Sequence, residues 1–160
     1  VKKLTQQEIN TINKQHSIWV ASGTKQGTFA DYTTCDISGM CFKNAHLPGV
    51  SFKGANCTNT DFTRATLYNA CFKDADLAGA KLIDAEICRV TGDGKYIKNI
   101  ELPTYPVTYT NSILQISYIN DNIKEWVNFT DSDITDMDLL DWWNIHKEHI
   151  LNTIKNNPAK

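Results

Sequence analysis

His146 and His149 stand one helical turn apart with Glu148 between them, a spacing that could turn two imidazoles toward one metal ion. A zinc centre needs a third and a fourth ligand, and neither His46 nor any cysteine is tied to this pair by a motif. The cysteines fall at 35, 41, 57, 71 and 88, an odd number with no C-x-x-C spacing, so neither a disulfide framework nor a zinc site is expected. They read as reduced thiols of a cytosolic protein. Asp131, Asp133, Asp136, Asp138 and Asp141 are the densest carboxylate cluster. An EF-hand loop started at Asp131 fails, because Asp136 replaces the required glycine and Trp142 the bidentate glutamate. The cluster reads instead as acids at helix N-termini, where the helix dipole favours them. Gly92-Asp93-Gly94 precedes a strand and is not followed by Gly-Lys-Ser/Thr, so it is a turn and no phosphate loop. Gly-x-Ser-x-Gly, His-Glu-x-x-His and a dinucleotide fingerprint are absent. The chain offers no catalytic constellation and is expected to be non-enzymatic, with no cofactor and no metal.

The elements that would have to position any site are set by a repeat. From residue 30 to 89 every fifth position is apolar: Tyr32, Ile37, Phe42, Leu47, Phe52, Cys57, Phe62, Leu67, Phe72, Leu77, Leu82 and Ile87. With 41% of the chain apolar, such a run arises by chance less often than about once in ten thousand. Two residues before each stands a small one, Met40 being the bulky exception, and Gly, Asn or Asp recurs between. A period of five fits neither a helix at 3.6 nor a strand at 2.0. It requires a chain that turns a corner at each repeat and points one large and one small side chain into a narrow tube, with Gly, Asn and Asp at the corners.

Ala75-Asp76-Leu77-Ala78-Gly79, Thr60-Asp61-Phe62-Thr63-Arg64 and Ala55-Asn56-Cys57-Thr58-Asn59 resemble the tandem motif of the pentapeptide-repeat family. The resemblance implies a right-handed β-helix of square section with four pentapeptides per coil, hence about three coils over residues 30–91. Residues twenty apart should then stack, Tyr32 under Phe52 under Phe72. At roughly 4.8 Å per coil the rod is only about 15 Å tall, and both ends need covers.

The flanks are read as those covers. Over residues 1–29, Thr5-Gln6-Gln7-Glu8 has capping-box form and Leu4 and Ile9 hold staple positions, so a helix starts near Gln6 and ends before Ser22-Gly23. Ile9, Ile12, His16, Trp19 and Val20 share one face, expected to lie over the first coil. Residues 92–160 form a small α+β module: a short antiparallel meander through Tyr96–Leu102, Val107–Tyr109 and Ile113–Tyr118, broken at Pro103 and Pro106, then a short helix at Ile123–Phe129. A second helix is expected to begin at Thr130 as N-cap, and a third runs from about Asp138 to Lys155. The fold class is thus mainly β: a right-handed quadrilateral β-helix with an N-terminal helical cap and an α+β extension. A cap helix, the repeats, Gly-Asp-Gly and a Trp-rich helical tail together resemble short pentapeptide-repeat proteins of bacteriophages and prophages.

A formal net charge of -2 gives no global reason for nucleic acid or an anionic membrane as partner, and no apolar run is long enough to span a bilayer. A soluble, cytoplasmic protein is expected. Some members of the family mimic duplex DNA and inhibit topoisomerases. Here the rod matches only about four to five base pairs. Its outward charges, seven acids (Asp31, Asp36, Asp61, Asp74, Asp76, Asp84, Glu86) against six bases (Lys43, Lys53, Arg64, Lys73, Lys81, Arg89), nearly cancel. The favoured reading is a non-enzymatic interaction scaffold, a phage-encoded inhibitor of a host protein or defence system. The competing one is a small-molecule binder for a nucleotide signal, built from the Trp-rich part. The candidate interaction residues are Trp126, Trp142, Trp143, Tyr105, Lys95 and Lys98 in the C-terminal part, and Tyr68 and Ile83 beside Cys88 on the rod.

Overall fold

The computed structural model describes all residues except Glu101, Pro103, Ser117, Tyr118, Asp131, Thr135 and Asp136, and gives the backbone alone for Asn120, Asn122, Val127, Met137 and Asp138. The expectations for Pro103, Tyr118, Asp131 and Asp136 therefore lie outside the described residues. The elements are α1 (Gln6–Ala21), β1 (Lys98–Ile100), β2 (Val107–Tyr109), β3 (Ile113–Ile116), β4 (Ile119–Asn122), α2 (Ile123–Asn128) and α3 (Met137–Asn156).

Between α1 and β1 the repeats wind into a β-helix held by single-residue parallel bridges twenty residues apart, such as Asp31 to Ser51 and Ser51 to Cys71. The large inward residues are buried, Leu82 less completely than the rest. The rings stack as the spacing implies: Tyr32 on Phe52 at 5.3 Å and Phe52 on Phe72 at 4.7 Å between centroids. Each corner is a turn closed by a bond such as Cys35 N–H to the Tyr32 carbonyl (3.0 Å). Its third residue has φ between +54° and +73° at every repeat from Thr34 to Arg89, as a type II turn requires. That is why Gly, Asn or Asp fills nine of these twelve positions. The exceptions are Thr34, Arg64 and Arg89. Thr34 is β-branched at φ +57°, a conformation that costs an L-residue about 1–2 kcal/mol. Thr34→Gly should accordingly raise the unfolding free energy by about 1 kcal/mol, read from the midpoint of urea denaturation.

The first coil is covered, and the last coil is covered except beside Leu82. At the first coil the Asp36 amide donates to the Lys2 carbonyl and the Leu4 amide to Asp36 (2.8 and 3.0 Å). The Gln6 side chain bonds both the amide and the carbonyl of Cys41 (2.8 Å each), so one amide group imitates a β-rung. The capping box of α1 forms as expected, Leu4 and Ile9 are buried together, and the Tyr32 hydroxyl reaches Asn13 at 2.6 Å. Phe29 rests on the rings of His16 and Trp19 (5.3 and 5.0 Å).

His16 is fully buried in this contact. Its Nδ1 accepts the Ala30 amide (3.2 Å), so the proton sits on Nε2, which has no partner of hydrogen-bond geometry. Burial lowers the pKa of His16; the Pro48 carbonyl opposes the shift and the charge of His46 adds to it. The unfolded chain therefore takes up the proton first as pH falls. The stability this contact gives is complete above about pH 6.5, the value for a free imidazole, and is lost as pH falls through the lowered folded value. The urea midpoint should fall between pH 7 and pH 5, and His16→Gln should flatten that fall.

At the other end β1 to β4 form an antiparallel sheet in chain order. Alternate residues of β3 face opposite ways: Ile113 joins the rod core, whereas Leu114 and Ile116 join a second core with α2 and α3. Gln115 Oε1 accepts the Ile87 amide (2.7 Å), and Asn99 Nδ2 donates to the Val90 carbonyl (2.8 Å). The meander thus has a strand more than the sequence suggests. β4 reads Ile-Asn-Asp-Asn, of which the last three are residue types depleted in strands, and an edge position needs no apolar face. Thr130 does not begin a helix. Its amide and hydroxyl both donate to the Asp133 carboxylate (2.7 Å each), and the Asp133 amide donates back to the Thr130 carbonyl (3.0 Å). This closes Ser132 and Asp133 into a turn, because the hydroxyl that would cap a helix is spent on Asp133.

Candidate functional site

An open groove of about 950 Å³ lies between one face of the rod and the sheet. Tyr68, Ile83, Glu86, Cys88 and Arg89 line the rod side; Tyr105, Pro106 and Asp121 line the other. The repeat register builds the first wall. Tyr68 and Cys88 are twenty apart and so lie one above the other, the Asn69 amide donating to the Cys88 carbonyl (3.0 Å). Ile83 projects from the neighbouring side of the tube. Tyr68 is 41% and Ile83 58% exposed, although their corners are rigidly held. The second wall follows from the Gln115 and Asn99 bonds, which seat the sheet on the rod end.

The groove unites three residues singled out from the sequence, Tyr68, Ile83 and Tyr105. Tyr105 packs edge-on against Trp142 (5.4 Å) and fixes the wall from behind. The other candidates go elsewhere. Trp126 and Trp143 are fully buried and Trp142 is 8% exposed, so these rings form core and not a binding surface. Trp126 Nε1 donates to the Leu114 carbonyl (2.7 Å), and its ring meets Trp143 and Phe129 at 4.9 Å each. Aromatic bulk at helical spacing is satisfied best by that second core. Lys98 reaches the Asn157 carbonyl and side chain at the C-terminal end of α3, where a cation complements the helix dipole. Lys95 lies over the Tyr96 ring at 4.8 Å. Neither lysine lines the groove.

Glu86, Arg89, Pro106 and Asp121 are groove residues that the sequence reading did not select. The twenty-residue register was a usable signal for Arg89, which stands one coil above Asn69; nothing local marks Pro106 or Asp121. Chemically the groove offers aromatic and aliphatic surface with three carboxylates, Asp84, Glu86 and Asp121, and the Arg89 guanidinium. Among the described residues no three metal-ligating side chains converge. His146 packs on Trp142 (4.6 Å). All five cysteines are free. Cys57 is buried, which pushes its thiol up to about 12, and burial also raises Cys88. Neither has the lowered pKa of a reactive thiol.

Residues 41–79 match the profile of the family described as pentapeptide repeats, in eight copies. Among solved structures, the chain is similar to HetL, a pentapeptide repeat protein involved in heterocyst differentiation regulation from the cyanobacterium Nostoc sp. strain PCC 7120. The two are 27% identical with a TM-score of 0.40, over 41% of this chain and 31% of that one. The chain thus spans about a third of that relative's length. No curated protein matches it significantly. With the repeat match, the twenty-residue bridges and the corner at every fifth residue together, this chain carries the repeats of the pentapeptide-repeat family, folded as a right-handed β-helix.

Proposed function

We propose that this chain is a non-enzymatic protein-interaction scaffold. In it a three-coil rod over residues 30–91 and the α+β module of residues 92–160 together present one groove to a partner protein. The observation that carries the reading is that groove: exposed Tyr68 and Ile83 stand on rigid corners opposite Tyr105. Exposed apolar side chains on a fixed frame are what a binding surface needs, since little side-chain freedom is lost on contact.

The partner is a host protein, and the chain a phage-encoded inhibitor acting in the cytoplasm; the resemblance to phage and prophage members supports this part. No helix among the described residues is long and apolar enough to cross a membrane. DNA mimicry is disfavoured by the short rod and the balanced outward charge. A nucleotide-signal site built on the tryptophans loses its basis, because those rings are buried.

The test is affinity capture from bacterial lysate with the tagged wild-type chain and with the Tyr68→Ala/Ile83→Asp double variant. Both side chains are exposed, so the urea midpoint should hold. The amount of specific partner captured should fall by a factor near thirty, the size of about 2 kcal/mol at a hot spot. Equal capture by the variant would refute the assignment of the groove.

A further inference from the structure

Inside the rod each rung passes its upward backbone groups to the rung one coil later. The amides of Phe62 and Arg64 donate to the carbonyls of Lys81 and Ile83 (2.8 and 2.9 Å), and the Thr60 carbonyl accepts the Lys81 amide (2.9 Å). Leu82, Asp84 and Ala80 hold the same three positions twenty residues on. By the symmetry of the ladder the Leu82 and Asp84 amides and the Ala80 carbonyl point the same way. None of these three groups has a hydrogen-bond partner among the described residues.

On the remaining sides of this end the inward side chains Phe72, Leu77 and Ile87 are covered, although the Leu77 and Gly79 amides also have no partner among the described residues. The Ile87 amide is taken by Gln115, the Val90 carbonyl by Asn99, and Leu77 is 1% exposed. At Ala80–Asp84, by contrast, Leu82 is only half-buried and Ile83 is 58% exposed. Two donors flanked by an acceptor, beside an uncovered aliphatic side chain, make a free β-edge. Such an edge is completed by an extended chain.

We infer that Ala80–Asp84 receives an extended segment of the partner protein as the next rung of the β-helix. Two carbonyls of that segment accept the Leu82 and Asp84 amides, and one of its amides donates to the Ala80 carbonyl. An aliphatic side chain of the segment sits over Leu82, in the place Leu82 holds over Phe62. Ile83 and Asp84 also line the groove, so the same segment continues into it past Tyr68. The inference deepens the groove reading and rests on it. A second copy of this chain is a poor occupant. Its first coil is already occupied by Lys2, Leu4 and Gln6, and a second rod meeting this end would have to pass the wall at Tyr105 and Pro106.

The probe is a random decapeptide library panned on the full chain. The best binder is then made in two forms, one unmodified and one N-methylated at alternate backbone positions, so that the backbone bonds are tested without altering the protein. In the free chain the Leu82 and Asp84 amides should exchange fast with solvent and those of Phe62 and Arg64 slowly. The unmodified peptide should slow Leu82 and Asp84 by about tenfold or more, and N-methylation should weaken binding by about tenfold. Three results would overturn strand addition: no library peptide binds, the two amides are already protected in the dilute free chain, or their protection rises with chain concentration alone, marking a second copy as occupant. A binder that leaves both amides fast, tolerates N-methylation and is still weakened by Tyr68→Ala overturns it too, while leaving the groove reading intact. The groove reading itself falls if Tyr68→Ala/Ile83→Asp leaves capture from lysate unchanged, whatever the peptide does.

Discussion

Phe52→Ala should lower the unfolding free energy by about 3–5 kcal/mol, read from urea denaturation of the two chains side by side. Phe52 is fully buried and lies flat between Tyr32 and Phe72, at 5.3 and 4.7 Å with interplanar angles of 6° and 10°. Phe42 and Phe62 meet it edge-on at 5.9 and 5.3 Å. Four ring contacts are lost at once, each worth about 0.5–1.5 kcal/mol beyond area alone. The coils are pinned by bridges on every side, so the rod cannot close on the cavity and the cost belongs at the upper end of the range. In a stack where each coil contacts only its neighbours, a hole in the middle coil weakens both interfaces. Phe29→Ala, at 39% exposed, should cost far less and serves as the control. A loss at position 52 below about 1 kcal/mol would mean that the aromatic column is not what holds the coils in register.

Trp126→Ala should cost about as much, about 3–5 kcal/mol, and should loosen the sheet and α3 together. The ring is fully buried against Trp143 and Phe129, and its Nε1–H satisfies the Leu114 carbonyl on β3. Truncation leaves a cavity and removes one donor from the Leu114 carbonyl, a hydrogen bond worth about 0.5–1.5 kcal/mol. Trp126→Phe keeps most of the packing and loses only the bond, so it should fall well short of the alanine variant. The comparison separates core from surface. A binding tryptophan would lose capture and keep stability; here stability should be lost, seen in urea denaturation and in the near-ultraviolet dichroism of the tryptophans.

The rod was legible in the sequence because a period of five has a single economical meaning, and each rule behind it is local. One large residue faces inward per side, a small one precedes it, and a positive φ at the corner selects Gly, Asn or Asp. The start of α1 was legible for the same reason, since the Thr5–Glu8 capping box is complete within four residues. What escaped depends on contacts far apart in the chain. Nothing in the Ile-Asn-Asp-Asn of β4 marks a strand until β3 lies beside it. Gln115 reads as an ordinary polar residue until it takes the Ile87 amide twenty-eight positions away, and with that bond the sheet is placed and the groove exists. The tryptophans were ambiguous by nature, because a ring with a polar edge suits a core and a binding face equally. Thr130 misled because a hydroxyl followed by acids describes both an N-cap and the closed turn it forms with Asp133.

The most direct test of the groove as the recognition surface is site-specific photo-crosslinking with the same partner-containing lysate. A benzophenone side chain replaces Tyr68, Ile83 or Ile145 in turn. Ile145 on α3 is the fair rival, being an aliphatic residue 76% exposed that does not line the groove. Positions 68 and 83 should give one and the same partner adduct, and position 145 none. Adducts from 145 with none from 68 and 83 would contradict this, and would move recognition from the groove to the outer face of α3.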